Sequence, residues 1–177
     1  SGPALTEYPA ENGRTRVWHR FADVVKDENG TPTKITFKNT EKFNFAFDVM
    51  DAIAEEVPNK LAMLHLDKHK EEHRFTFRDI HRASNRCANY FKALGIKKGD
   101  RVMLVLKRHY QFWFAVLGLE KIGAIAIPAV AQLQEHDFEY RFNAAGVKAI
   151  LCTADGDTAH QAELAAVNAP SLELKLI

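Results

Sequence analysis

Residues 101–106 read RVMLVL, 124–127 read AIAI, 148–152 read KAILC and 173–177 read ELKLI. These apolar runs begin 23, 24 and 25 residues apart, and the segments between them have helical periodicity. That spacing fits one strand, one helix and two short connections, which is typical of a repeating β–α unit. We therefore predict an α/β fold with Rossmann-like β–α–β layers on a parallel sheet. Such sheets bind ligands beyond the carboxyl ends of their strands, which favours an enzyme domain.

The composition argues against several classes of partner. The 177-residue chain carries 24 basic and 23 acidic side chains, and this balance gives no support to nucleic-acid binding. No apolar run approaches the roughly 20 residues of a membrane helix, so we expect no membrane partner. Cys87 and Cys152 are far apart and lack CxxC spacing. We predict a reducing compartment and cytoplasmic localisation.

The beginning of the chain is the least regular part of the sequence. We predict an irregular N-terminal extension over residues 1–43 and an α/β part, truncated at its C-terminus, over residues 44–177. Apolar residues at helical spacing predict a short amphipathic helix within the extension, packed on the main body. These residues are Val17, Trp18, Phe21, Val24 and Val25. A turn is expected over residues 27–32.

Three further helices are predicted from periodicity and capping residues. One spans residues 45–56 and ends before a proline. A second begins at Thr76, which forms a capping box with Asp79. It ends before Gly95, which we expect to adopt a left-handed conformation. The third spans residues 110–122 and is apolar nearly all round, so we expect it to be deeply buried.

A histidine cluster offers one metal hypothesis. His65, His69 and His73 recur every four residues, with Glu71 and Glu72 nearby. On a helix these histidines would share a face and could hold zinc. The segment is more typical of a strand, a charged turn and a second strand. We therefore predict a hairpin tip and no metal site.

Two other motifs also have a structural alternative. Gly118 and Gly123 have the spacing of a phosphate-binding loop, but Ala124 and Ile125 stand where that loop requires a lysine and a hydroxyl. We therefore predict that Gly118 lies inside a helix and permits close packing. Cys87 would be a nucleophile only with a lowered pKa and a partner base. Its place on the apolar stripe of a helix favours a buried structural residue.

Two loops at strand ends are better ligand candidates. Lys107 and Arg108 follow a buried strand and precede a helix, where positive charge and helix N–H groups suit an anion. The alternative is a solvated loop. The loop over residues 128–134 also follows a strand, and its small residues let a ligand approach closely while Gln132 and Gln134 offer hydrogen bonds. The alternative there is a short connection.

Several stretches, in their order and spacing, resemble the AMP-forming acyl-CoA synthetases of the AMP-dependent synthetase and ligase family. The acetyl- and medium-chain acyl-CoA synthetase branch is the most similar. The stretches are FNFAFDV at 43–49, FTFRDI at 75–80, GDRV at 99–102, LEKIGA at 119–124, FEYR at 138–141 and KAI at 148–150. The resemblance covers residues 43–177.

This resemblance implies a two-step ligase. A carboxylic acid reacts with Mg-ATP to give an acyl-adenylate and pyrophosphate, and the CoA thiol then displaces AMP. The family's Ser/Thr/Gly-rich phosphate loop ending in Pro-Lys does not occur in residues 1–177. The family's Mg-binding motif and the domain with its catalytic lysine are also absent from these residues. We therefore expect an N-terminal fragment without catalytic residues, inactive alone. The alternative is a small non-catalytic α/β binding or interaction module.

The resemblance also places one subsite. Val130, Ala131 and Gln132 align with a segment that borders the pantetheine channel for CoA. The acetyl branch has phosphate-binding arginines in a segment that here, at residues 153–160, contains none. The last strand stops at Ile177, which we interpret as a cut through a larger protein. An exposed strand edge at that cut would favour self-association.

Overall fold

Two β-hairpins and a parallel sheet organise residues 17–177, the part of the chain that this computed structural model describes. The chain divides into two units, Ser1–Ala83 and Ser84–Ile177. The described part of the first unit contains a 3₁₀ helix at Val17–Arg20, strands β1 (Ala22–Lys26) and β2 (Pro32–Phe37), a π-helical segment at Ala46–Asp51 that continues into α1 (Ala52–Glu56), strands β3 (Leu61–Leu66) and β4 (Glu72–Thr76), and the start of α2 (Phe77–Ala93).

The amphipathic helix predicted near the start of the chain is wrong. Only Val17–Arg20 is helical, and Ala22–Lys26 forms strand β1, which pairs antiparallel with β2. Val24 lies opposite Ile35 in this hairpin, and β-branched residues favour the extended backbone of a strand. The assignment of residues 1–43 as an extension stays a prediction.

The turn predicted over residues 27–32 is confirmed as the connection of this hairpin. The Asp27 carboxylate accepts hydrogen bonds from the backbone N–H groups of Asn29 and Thr31, each at 2.9 Å. An aspartate that bonds the backbone two residues ahead is a common turn former.

The helix predicted over residues 45–56 is present, with its first part π-helical. The capping box of α2 is also confirmed. The Asp79 carboxylate accepts the Thr76 backbone N–H at 2.9 Å and its hydroxyl at 2.8 Å, while the Asp79 N–H donates to the Thr76 hydroxyl at 3.2 Å. Gly95 ends the following turn with a φ of 82°, a left-handed conformation that suits glycine.

The second unit is built on a four-stranded parallel sheet with the strand order β6-β5-β7-β8. All four predicted apolar runs form its strands, and the α/β fold class is confirmed. The elements are β5 (Arg101–Val105), α3 (Gln111–Lys121), β6 (Ile125–Pro128), α4 (Glu135–Ala145), β7 (Val147–Cys152), α5 (Thr158–Ala166) and β8 (Leu174–Leu176).

Alternate residues of β5 face two hydrophobic cores, one on each side of the sheet. Met103 and Val105 pack with Phe138 and Phe142 of α4, and buried alanines of α5 belong to the same core. On the other face, Val102 and Leu104 pack with Phe91 of α2 and with buried residues of α3. A strand that is covered on both faces needs an uninterrupted apolar sequence, as RVMLVL shows.

The deep burial predicted for the helix over residues 110–122 holds on one side only. Ala115, Leu117 and Leu119 are buried in α3, whereas Trp113 is 55% exposed.

None of the helices in residues 17–177 combines the length and the apolar character that a membrane-spanning helix needs.

Gly118 lies inside α3, so the phosphate-loop hypothesis for Gly118 and Gly123 is wrong. A Cβ atom at Gly118 would lie 2.7 Å from the Cys87 Cβ and 3.0 Å from the Ala88 backbone nitrogen. Glycine therefore permits the close approach of α2 and α3.

We expect Gly118→Ala to destabilise the second unit because this contact leaves no room for a methyl group. Overpacking costs about 1–3 kcal/mol, which exceeds the roughly 1 kcal/mol that alanine gains over glycine inside a helix. A net loss of about 1 kcal/mol in the free energy of unfolding should appear in urea titrations. In a Cys87→Gly background the loss should shrink, and an equal loss in both backgrounds would show that the contact is not responsible.

Candidate functional site

The carboxyl edge of the parallel sheet carries the candidate site residues. Along the chain, β5 is followed by β6 on one side and then by β7 on the other. This reversal of strand order creates a switch point between β5 and β7, where parallel α/β sheets commonly bind ligands. The loops that follow β5, β6 and β7 all lie at this edge.

Lys107 follows β5 and bridges this switch point. Its Nζ donates to the Asp155 carboxylate at 2.7 Å and to the Asp155 carbonyl at 3.2 Å, and Asp155 lies in the loop after β7. The hydrogen bond from Lys107, together with the charge of its ammonium group, lowers the pKa of Asp155 from its ordinary 3.8 to about 2. The predicted anion-binding lysine is thus already paired with a carboxylate.

Arg108 and His109 are exposed beside Lys107. Since α3 begins at Gln111, both lie just before a helix N-terminus, as the sequence predicted. An anion site at Lys107 and Arg108 stays a prediction. Sequence analysis missed Asp155, because its contact with Lys107 depends on the order of the strands in the sheet.

The Lys107–Asp155 pair predicts a pH dependence of stability. The folded-state pKa of Asp155 lies below its unfolded value, so its stabilising contribution is complete above about pH 4 and is lost as the pH falls towards about 2. In Lys107→Met, the decrease in Tm between these two pH values should be smaller, because the pKa of Asp155 returns towards its ordinary value. Thermal unfolding followed by circular dichroism at a series of pH values measures this.

Arg108→Met is the matched control because it removes a neighbouring exposed cation without touching Asp155. Its pH profile should keep the steepness of the unmodified chain. A Lys107→Met profile as steep as that of the unmodified chain would contradict the pairing.

The loop after β6 contains the three residues predicted to border a CoA channel. Val130 is 60% exposed and lines a cleft of about 390 Å³. The other residues that line this cleft are Met103, Ile127, Pro128, Ala129, Leu133, Tyr140, Arg141, Ala144 and Ala145. Gln132 is exposed, and the Ala131 carbonyl accepts a hydrogen bond from the Thr158 hydroxyl at 3.2 Å. Of the three residues, only Val130 faces the cleft.

Gln134, predicted to offer hydrogen bonds to a ligand, is engaged within the fold. It lies at the start of α4, where its backbone N–H donates to the Asp137 carboxylate at 3.1 Å. Its side-chain amide donates to the Gln132 carbonyl at 3.4 Å. This glutamine thus helps to begin the helix.

The histidine segment forms the predicted hairpin of β3 and β4, and the helical zinc arrangement is wrong. The one group of three metal-capable side chains in residues 17–177 is Asp67, Glu71 and His73, with ligand atoms within 4.8 Å of one another. The Asp67 carboxylate already accepts the N–H groups of His69 and Glu71 at 2.8 and 2.9 Å. Magnesium prefers oxygen ligands in octahedral geometry. Because His73 would supply a nitrogen and the Asp67 carboxylate is already bonded, this turn does not fit the ion of Mg-ATP.

The thiols do not have the properties of a nucleophile. Burial raises the pKa of the Cys87 thiol and of the Cys152 thiol. A raised pKa leaves less thiolate at neutral pH, whereas nucleophilic cysteines have a lowered one. Cys87 is half-buried and its Cβ faces Gly118, which supports the predicted structural role.

A family model described as AMP-binding enzyme matches residues 50–176. The chain belongs to this family. The mitochondrial acyl-coenzyme A synthetase ACSM5 of Rattus norvegicus is 34% identical over 143 residues, which cover 77% of this chain and 24% of that enzyme. The acetyl-coenzyme A synthetase of Bacillus subtilis is 33% identical over 118 residues, 66% of this chain and 20% of that enzyme. The predicted resemblance to acyl-CoA synthetases is confirmed, and the chain spans between a fifth and a quarter of the length of these relatives.

Solved structures share the fold of this chain. The N-terminal domain of FACL13 from Mycobacterium tuberculosis superposes with a TM-score of 0.68 at 24% identity, covering 76% of this chain and 33% of that chain. The anthranilate CoA ligase AuaEII, solved with anthranoyl-AMP, gives a TM-score of 0.66 at 24% identity. The superposition covers 76% of this chain and 25% of that chain. At this identity, the likeness supports the fold alone.

Proposed function

We propose that this chain is the N-terminal part of an acyl-CoA synthetase that activates a carboxylic acid with ATP and transfers the acyl group to CoA. The observation that carries the proposal is the identity of about one third with acyl-CoA synthetases over 143 residues. The first step forms an acyl-adenylate and releases pyrophosphate. In the second, the CoA sulfur bonds to the acyl carbon and AMP leaves. Mg²⁺ would accompany ATP in the proposed first step, and we assign none of the described residues to hold it.

The described residues contribute a scaffold and one wall of the CoA channel. The parallel sheet fixes the position of the β6 strand end at Pro128, and Val130, Ala131 and Gln132 follow after one residue. Small side chains at such an end let the pantetheine arm approach the backbone closely. Exposure of Val130 beside an apolar cleft supports this assignment.

Lys107 and Arg108 provide positive charge at the same edge of the sheet. We assign them to an anionic group of a substrate. Because Lys107 is paired with Asp155 at 2.7 Å, such a group must compete with this carboxylate or bind to Arg108 alone.

Self-association is proposed through the open edge of the sheet. Within residues 17–177, β8 pairs with β7 alone, so its outer backbone groups are available to another strand.

For localisation, the two free thiols support a reducing compartment. We keep the cytoplasm as our prediction, although the names of several relatives include the word mitochondrial.

The test of the proposed function uses the full-length enzyme that contains this chain. We expect release of pyrophosphate that requires both ATP and a carboxylic acid, and release of AMP that also requires CoA. Val130→Trp should raise the KM for CoA and leave acid-dependent pyrophosphate exchange unchanged. An unchanged KM for CoA would remove Val130 from the channel, and absence of both activities would favour a non-catalytic α/β module.

A further inference from the structure

The loop after β6 is held by the first turn of α5. Thr158, the first residue of α5, is only 3% exposed, and its hydroxyl donates to the Ala131 carbonyl at 3.2 Å. A polar side chain buried to this extent is normally bonded within the fold. The bond joins the loop after β6 to the helix that follows β7, although the two residues are 27 positions apart.

A second contact fixes the far end of the same loop. The Glu135 backbone N–H donates to the Gln161 side-chain oxygen at 2.8 Å. The amide nitrogen of Gln161 in turn donates to the Asp157 carboxylate at 2.8 Å, which sets the orientation of the Gln161 side chain. Thr158 and Gln161 lie three residues apart and therefore on one face of α5. That face contacts the loop at Ala131, in its middle, and at Glu135, where α4 begins.

Packing alone does not fix the middle of this loop. Leu133 is buried, but Val130 and Gln132 are exposed and have little side-chain contact to define their position. The burial of Leu133 and the bonds of Gln134 to Asp137 and to the Gln132 carbonyl hold part of this stretch. The hydrogen bonds to the backbone at Ala131 and Glu135 are the contacts that join it to α5. A binding wall has to hold its atoms to within a fraction of an ångström to keep its affinity.

We propose that Thr158 and Gln161 are positioning residues for CoA, which fix the wall formed by Val130, Ala131 and Gln132 without touching CoA themselves. This inference rests on the proposed function, in which that loop borders the pantetheine arm. It assigns a role to α5 in the thioester-forming step only, because adenylate formation does not use the CoA channel.

The test compares Thr158→Val with Thr158→Ser in the full-length enzyme. Valine has nearly the shape of threonine but no hydroxyl, whereas serine keeps the hydroxyl. We expect Thr158→Val to raise the KM for CoA about tenfold, which corresponds to about 1.4 kcal/mol. Acid-dependent pyrophosphate exchange should stay within about twofold of the unmodified enzyme, and Thr158→Ser should restore the KM for CoA.

Hydrogen exchange on the 177-residue chain provides a readout that does not depend on CoA. In Thr158→Val, the backbone amides of residues 131–135 should exchange about tenfold faster than in the unmodified chain. Ser171→Ala is the matched control, because it removes another hydroxyl-to-carbonyl bond, from Ser171 to the Val147 carbonyl at 2.9 Å, where β7 begins. It should leave both the exchange of residues 131–135 and the KM for CoA unchanged.

The outcomes separate this inference from the proposed function. If Val130→Trp raises the KM for CoA and Thr158→Val does not, the positioning role is overturned and the proposed function stands. If Val130→Trp has no effect on that KM, the wall assignment itself fails, whatever the exchange data show. Unchanged exchange of residues 131–135 in Thr158→Val would also overturn the positioning role.

Discussion

The isolated 177-residue chain is expected to form no acyl-adenylate from ATP and a carboxylic acid. Residues 1–177 contain no Ser/Thr/Gly-rich phosphate loop ending in Pro-Lys, and the metal-capable turn at Asp67 does not fit Mg-ATP. Stabilisation of developing charge is usually the largest catalytic contribution, and loss of one donor alone costs about 10²–10³ in rate. Without these groups, acid-dependent pyrophosphate release should equal the rate in buffer.

The measurement is a coupled pyrophosphate assay with acetate and longer-chain carboxylic acids, together with detection of acyl-AMP by mass spectrometry. The full-length enzyme serves as the positive control under identical conditions. Turnover by the 177-residue chain alone would contradict the expectation that its catalytic groups lie elsewhere.

Phe138→Ala is expected to produce a large loss of stability. Phe138 is completely buried in the core that also contains residues of the sheet and of α5, with its ring centroid 5.6 Å from that of Phe142. Truncating a buried phenylalanine removes its transfer free energy and leaves a cavity, which together cost about 3–5 kcal/mol. A loss of this size is a large share of the total stability of a typical domain. Urea unfolding of the chain measures it.

Tyr140→Ala is the matched control for this substitution. Tyr140 lies on the same helix two residues later and is 71% exposed. Its truncation should cost less than about 1 kcal/mol, because exposed side chains contribute little to stability. Similar losses for Phe138→Ala and Tyr140→Ala would contradict the placement of the core.

The sheet could be predicted from the sequence because its physical signal is local. A strand covered on both faces has no polar alternation, and RVMLVL at 101–106 shows this directly. The capping box at Thr76 and Asp79 also lies within one turn of helix, so its residues are visible together in the sequence. Both predictions are confirmed by the structure.

The first hairpin was missed because two periodicities compete there. Val17, Phe21 and Val24 satisfy a helical spacing, but Val24 and Val25 are β-branched and find partners in β2. Strand pairing depends on residues beyond the turn, which a short periodic window does not include.

The contacts of the candidate site depend on strand order, which no local pattern contains. Lys107 meets Asp155, 48 residues later, only because β7 lies beside β5. The bond from Thr158 to Ala131 likewise requires α5 to pack over the loop after β6. The sequence therefore predicts that the loops lie at one edge of the sheet, but it does not show which side chains join them.

The most direct test of the account is the reading frame beyond Ile177. If this chain is the N-terminal part of an acyl-CoA synthetase, the frame continues and soon encodes a glycine-rich Thr/Ser loop that ends in Pro-Lys. A stop codon directly after Ile177 would contradict the account and identify a small α/β module without adenylating chemistry.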